Sequence, residues 1–308
     1  MLSVLIPTYN YDCSALLLAL SRQAEELRED PAIRDFGCEI IVGDDASTDK
    51  TAESANRLAA QNTGARYVRS AENRGRSATR NALAEQAAGD YLLFIDCDAR
   101  ICTDTFLRDY WNDRDKADVV CGALRNPAGP PPVGHELRYR YEKAAEWHRT
   151  AAYRNAHPYE MFTTFNVMFR REAFFRIRFD ERCHEYGYED ALMGLMLERN
   201  GFSVLHTGNP LIHDGIDSNV SFLDKIEASL RTLRRLEGCM QESAGASRAV
   251  ALLQRLHLCG ITARLFRTFR KALHRQLSGR KPSLFLLKLY KTGYYADLSC
   301  GISAARRP

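Results

Sequence analysis

The sequence predicts an α/β fold built on a mostly parallel, doubly wound sheet, followed by a helical C-terminal extension. Three observations lead there. Short, almost wholly apolar runs alternate with helical patterns through the first half of the chain. Polar clusters fall where those runs end. From Val220 onward the pattern is helical, with one break near Ser278–Pro282.

Taken in order, Leu2–Pro7 (LSVLIP), Glu39–Gly43 (EIIVG), Ala65–Arg69 and Tyr91–Asp96 (YLLFID) read as strands. Three of them are apolar almost throughout, as strands covered on both faces are. Between them, Ser14–Glu29 carries Leu16, Leu17, Leu20 and Leu27. Thr48–Gln61 carries Ala52, Ala55, Leu58 and Ala59 on one face and stops near Asn62-Thr63-Gly64, with Ser47 as N-cap and Asp49 in the first turn. Ser77–Ala88 ends at Gly89. This alternation implies right-handed crossovers, with ligands gathered at the carboxyl ends of the strands. The stretch 125–134 (RNPAGPPPVG) reads as a loop. After it, His135–Arg154 reads as one helix, Thr163–Arg170 as a strand and Glu189–Asn200 as a helix ended by Gly201. Phe202–His206 and Leu211–His213 read as two short strands. The expected domains are residues 1–215 and 216–308.

A composition of 45% hydrophobic and 27% charged residues is that of a globular protein. The nine cysteines, at 13, 38, 97, 102, 121, 183, 239, 259 and 300, show no metal-finger spacing, so reduced thiols are expected. No run approaches the roughly 18 apolar residues of a membrane span, and no basic leader precedes the first strand. A cytoplasmic location follows as the expectation.

The net charge of +4 conceals an asymmetry: residues 245–308 hold thirteen Lys or Arg against one acid, Asp297, a balance of +12 over a body of −8. A basic tail on an acidic body attracts polyanions. Phe266, Phe269, Leu273 and Leu277 recur at helical spacing among Arg264, Arg267, Arg270, Lys271 and Arg275. Such a helix packs on the rest of the chain or lies on an anionic membrane at the inner, cytoplasmic face. Nucleic acid is not expected, because the acidic body repels it.

The polar clusters each admit two readings. Asp96-Cys97-Asp98 ends YLLFID; it is a solvated loop, or two carboxylates facing one hard cation together with phosphate oxygens. Asp44-Asp45 precedes a helix cap, or offers a carboxylate to the imide of a uracil ring. In Thr8-Tyr9-Asn10 the tyrosine packs on the surface, or lines a base pocket beside Thr8. Arg80, in NRGRSATRN, is solvated or faces a nucleotide diphosphate. Glu189-Asp190 caps a helix, or supplies a general base. His213 is structural or a nitrogen ligand to a metal.

Together, IPTYN, VGDDAST, NRGRSATRN, GDYLLFIDCD and GYEDALMGLMLERNG resemble the family 2 glycosyltransferases over about residues 1–215, in the same order. The segment FNVMFRREAFFRIRFDERCHEYGYED also resembles the acceptor-side block of the galactosyltransferase-like branch, where an Asn and a basic pair precede the Glu-Asp dyad. The resemblance implies a GT-A nucleotide-sugar fold and inverting, metal-assisted transfer from a UDP-sugar to a hydroxyl of a glycan or lipid-linked acceptor. It makes Asp45 the uracil-binding acid, with Pro7, Thr8 and Tyr9 beside it and Arg80 near the diphosphate. Asp96 then contacts ribose or metal, Asp98 is the main metal ligand, and His213 is a further one. Asp190, next to Glu189, becomes the catalytic base. A nitrogen ligand favours Mn2+, with Mg2+ the alternative. Gly43 and Ala46 depart from the usual pattern without removing a reacting group. The competing expectation is a catalytically inactive nucleotide-sugar-binding or membrane-scaffold protein of the same fold. A sugar nucleotidyltransferase is disfavoured, because the Gly-rich, Arg-containing N-terminal loop is missing.

Overall fold

The computed structural model describes residues 1–33, 35–183, 186–236 and 245–305. The chain divides into two compact units: Met1–Ala128 with Trp147–His184 and Glu189–Gly215, and Gly129–Glu146 with Glu185–Tyr188 and Ile216–Pro308. The division expected from the sequence assigned 129–146 and 185–188 to the first domain; here those two segments group with the C-terminal helices.

The first unit is a sheet with helices on both faces. Its elements are β1 (Leu2–Thr8), α1 (Ser14–Glu29), β2 (Cys38–Asp44), α2 (Lys50–Thr63), β3 (Arg66–Arg69), α3 (Arg76–Gln86), β4 (Tyr91–Ile95), β5 (Ala99–Ile101), α4 (Phe106–Asp113) and β6 (Val119–Arg125). After α5 (Glu136–Ala145), which belongs to the second unit, come α6 (Ala151–Ala156), β7 (Asn166–Arg170), α7 (Arg171–Ile177), α8 (Glu189–Arg199) and β8 (Val204–His213).

The strand order is β3-β2-β1-β4-β7-β6-β8-β5. β1, β2, β3 and β4 pair in parallel, as does β6 with β8, whereas β7 runs antiparallel to both β4 and β6, and β5 antiparallel to β8. Alternation along β1 sends Val4 and Ile6 to one face, against Leu16, Leu17 and Leu20 of α1 and Phe106 of α4. Leu5 faces the other way, into a core with Leu83 of α3, Phe174 of α7 and Met193 of α8. A strand covered on both faces has no polar positions to spare, which is why these runs read so plainly in the sequence.

Several expectations need correction. The helix expected over 135–154 is broken: α5 passes through a 3-10 turn at Glu146–Arg149, and α6 restarts with the Thr150 side chain accepting from the Tyr153 N–H. The two strands expected at 202–213 are one strand, β8, whose pairing with β6 shifts register between Cys121 and Ala123. The N-cap of α2 is Asp49, which accepts from the N–H groups of Thr51 and Ala52; Ser47 instead donates its own N–H to Asp44. Gly43 is explained by close approach: a Cβ there would come within 2.9 Å of Leu83.

The second unit contains α5, α9 (Asn219–Arg235), α10 (Gly245–Arg255), α11 (Cys259–Leu277) and α12 (Leu284–Ala305). Asn219 ties its first turns together, accepting from Leu137 N–H at 2.7 Å and donating to Glu136 at 2.9 Å. Glu227 of α9 accepts from Arg270 of α11 and Tyr290 of α12. Phe266 and Leu277 are buried in this packing and Leu273 is half-buried, whereas Phe269 is 56% exposed, so of the four positions the spacing marked only Phe269 lies off the inward face of α11. Among the described residues no helix is long and apolar enough to cross a membrane. The described cysteines are free thiols; Cys239 lies outside the described residues.

Candidate active site

The carboxyl ends of β1 and β2 lie side by side, with Thr8 in register with Asp44 and Pro7 with Gly43. Asn10, in the left-handed region at φ 50°, joins the two loops that follow. Its side-chain oxygen accepts from the N–H groups of Thr48 and Asp49 at 2.7 and 2.9 Å, and its own N–H donates to Ser47 Oγ. Thr8 is buried and donates to the Tyr11 carbonyl, while Tyr9 is exposed. Asp44 is fully buried and takes the Ser47 N–H and the Tyr67 hydroxyl, which makes it part of the scaffold. Asp45 accepts from the N–H groups of Arg74 and Gly75, each at 2.8 Å. Gly75 adopts φ 84°, a conformation that favours glycine, and so turns both N–H groups toward one carboxylate.

Arg80, on α3, is only 1% exposed. Its Nη2 donates to Asp96 Oδ1 at 2.6 Å, and its guanidinium lies 5.3 Å from the Phe179 ring centroid. Its Nε and Nη1 are buried without a partner among the described residues. Burying N–H groups of a cation unpaired is costly, so this arrangement suits an anionic ligand that accepts from them. Burial raises the pKa of the Asp96 carboxyl, and the Arg80 charge opposes that rise. Cys97 is pushed up to about 12 by burial, then by Asp98 and Asp96, so it is a neutral thiol here.

Asp98 lies in the turn that opens β5. The β5–β8 ladder sets Ala99 opposite His213, and Asp214 N–H bonds the Asp98 carbonyl at 3.0 Å. The side chains of Asp98 and His213 then approach, with Oδ2 and Nε2 3.1 Å apart. A Cβ on Gly215 would run into the Asp98 carboxylate, so this backbone passes close to it. Among the described residues no three His, Cys, Asp or Glu side chains form a metal-binding group. Asp98 and His213 meet directly, and Asp96 is held by Arg80. One hard oxygen and one imidazole nitrogen fit a Mn2+ ion whose remaining positions are filled by phosphate oxygens or water.

Asp190 begins α8. Thr164 donates its hydroxyl to Asp190 Oδ1 at 2.7 Å. Burial raises the Asp190 carboxyl to about 6, Glu189 adds to the rise, and Arg80 and the Thr164 hydrogen bond oppose it. The carboxylate is thus ionised at neutral pH but basic enough to take a proton. Glu189 lies 3.7 Å from Arg76, and its Oε2 is buried without a partner among the described residues. The basic pair that precedes the dyad is elsewhere: Arg170 bonds Asp115, and Arg171 bonds the Ala87 carbonyl.

The family model for glycosyl transferase family 2 matches residues 3–178. The chain belongs to that family. An uncharacterized glycosyltransferase of Haemophilus influenzae is 30% identical to this family 2 chain over 107 residues, 34% of this chain and 38% of that relative, so the match spans well under half of the relative's length. Among solved structures, the mannosyltransferase PcManGT from Pyrobaculum calidifontis, in complex with GDP-Man and Mn2+, superposes with a TM-score of 0.52. It is 16% identical and covers 98% of this chain and 86% of its own. S. aureus TarS gives 20% identity and a TM-score of 0.47, covering 83% of this chain and 43% of TarS. The fold of this family 2 chain is the GT-A fold.

Thr164 and Gly215 were not singled out from sequence. Thr164 falls inside the strand expected over 163–170, and a glycine shortly after a histidine reads as a turn. Their contacts to Asp190 and Asp98 arise only once β7 and β8 take their places.

Proposed function

We propose that this chain transfers a sugar from a UDP-sugar to a hydroxyl of a glycan or lipid-linked acceptor with inversion, by single displacement. The observation that carries the reading is Arg80: a buried guanidinium that holds Asp96 and leaves two nitrogens, Nε and Nη1, without a partner among the described residues, electrostatically linked to both Asp96 and Asp190. A diphosphate would accept from those groups. Asp45, held by Arg74 and Gly75, is assigned the uracil imide, with Pro7, Thr8 and Tyr9 beside the base. The mannosyltransferase of similar fold holds GDP-Man and Mn2+, which supports a nucleotide-sugar donor and a divalent ion.

Asp98 and His213 would hold Mn2+, or less readily Mg2+; the ion when bound would neutralise charge gathering on the departing diphosphate. Asp190 accepts the proton of the attacking hydroxyl, its orientation fixed by Thr164 and its basicity raised by burial and Glu189. Glu189 is assigned to a hydroxyl of the donor sugar or acceptor, through its unpartnered Oε2. Arg80 offsets the negative charge of the leaving group. The C-terminal helices hold the protein at the inner surface of an anionic membrane. The reading of an inactive binding or scaffold protein is disfavoured because Asp190 retains a tuned, hydrogen-bonded carboxylate that binding alone does not need.

Thermal-shift measurements against a panel of nucleotide sugars with Mn2+ test the donor. UDP-sugars are expected to stabilise the protein above GDP- and CMP-sugars. Equal stabilisation by all of them contradicts the role given to Asp45.

A further inference from the structure

We propose that the outer face of α11 is a docking surface for an anionic lipid bilayer. This deepens the membrane part of the reading above and does not depend on the transfer chemistry. The helix has three faces of different character. Cys259, Ala263, Phe266 and Leu277 are buried, with the Phe266 ring edge-on to Tyr290 at 5.2 Å. Two of its cations belong to this inward side: Arg270 bonds Glu227 at 2.8 Å, and Arg267 pairs with Asp297 at 2.9 Å.

The second face is apolar and exposed. Leu258, just before the helix, and Ile261, Leu265 and Phe269 within it, are 42%, 59%, 54% and 56% exposed. Their spacing of three, four and four residues puts them in one narrow stripe along the axis. Leu252 of α10 and Leu256 just after it, also exposed, precede the stripe in the chain. An isolated exposed leucine is ordinary, but a continuous row of large apolar side chains marks an interaction site.

The third face carries Arg264, Lys271 and Arg275, spaced seven and four residues apart and all exposed. None of the three has an ion pair among the described residues, unlike Arg267 and Arg270. An apolar stripe beside unpaired cations is the arrangement of a helix lying in a bilayer interface, where the apolar side chains enter the acyl boundary and the cations meet headgroup phosphates. Charge decides between possible occupants. The segment 245–308 has thirteen cations and one acid, so a second copy of this surface would repel the first, whereas anionic headgroups attract it.

Vesicle co-sedimentation of the full chain tests the proposal, with equimolar phosphatidylglycerol and phosphatidylcholine against phosphatidylcholine alone. The parent is expected to pellet only with the anionic vesicles. Two triple variants separate the contributions: Ile261→Gln/Leu265→Gln/Phe269→Gln and Arg264→Gln/Lys271→Gln/Arg275→Gln. Each is expected to weaken partitioning by on the order of 100-fold while circular dichroism and vesicle-free donor turnover stay at parental values. That pattern of pelleting supports the surface even where donor turnover fails, which instead counts against the transfer reading. Equal pelleting with neutral vesicles, variants that pellet like the parent, or an apolar stripe that drives self-association with no vesicle binding would each overturn it.

Discussion

Thr164 donates its hydroxyl to Asp190 across 2.7 Å, joining the loop that leads into β7 to the first turn of α8. A hydrogen bond to the ionised form lowers a carboxyl pKa, so Thr164 works against the burial that raises Asp190. Thr164→Val is expected to move the acid limb of the pH–rate profile upward by about one unit and to lower kcat at neutral pH. Thr164→Ser restores both. A limb that stays in place in the valine variant removes Thr164 from the mechanism.

The position of that limb follows from Asp190 itself. With the carboxyl at about 6, the base is lost as pH falls through that value, so kcat/KM should drop tenfold per pH unit below it and level off above.

The same shift has the opposite effect on stability. A carboxyl whose folded pKa is raised above its unfolded value binds more protons when folded, so its contribution to stability is fully present below the unfolded value. It is lost as pH rises through about 6. Asp190→Asn, which removes the buried charge, is therefore expected to raise Tm by a few degrees at neutral pH. The gain should shrink toward pH 4, as scanning calorimetry across that range would register.

Arg80 is predicted to be both structural and functional. Arg80→Met leaves Asp96 without its partner and should cost about 2 kcal/mol or more in chemical denaturation. Pairing it with Asp96→Asn should recover most of that stability but not nucleotide-diphosphate affinity. Recovery of both reduces Arg80 to a scaffold residue.

Much of the fold was legible because β1, β2 and β4 are buried on both faces and keep no polar alternation to confuse them. The direction of pairing was not legible: nothing in the apolar run of β7 says that it lies antiparallel between β4 and β6. β5, only three residues long with Arg100 at its centre, has no pattern to read, yet it is what sets Asp98 beside His213. The acids of the site stood out because strand ends seldom need paired carboxylates. Their pairings did not: Arg80 reaches Asp96, and Thr164 reaches Asp190, only across crossovers that local sequence does not encode.

The most direct test of the central claim is Mn2+-dependent turnover of a UDP-sugar by the parent and by Asp190→Asn, with donor affinity measured in parallel by calorimetry. The account predicts turnover by the parent, a loss on the order of 1,000-fold in the variant, and unchanged donor affinity. Turnover that survives the substitution intact would mean that Asp190 is not the base and that the site works by other groups.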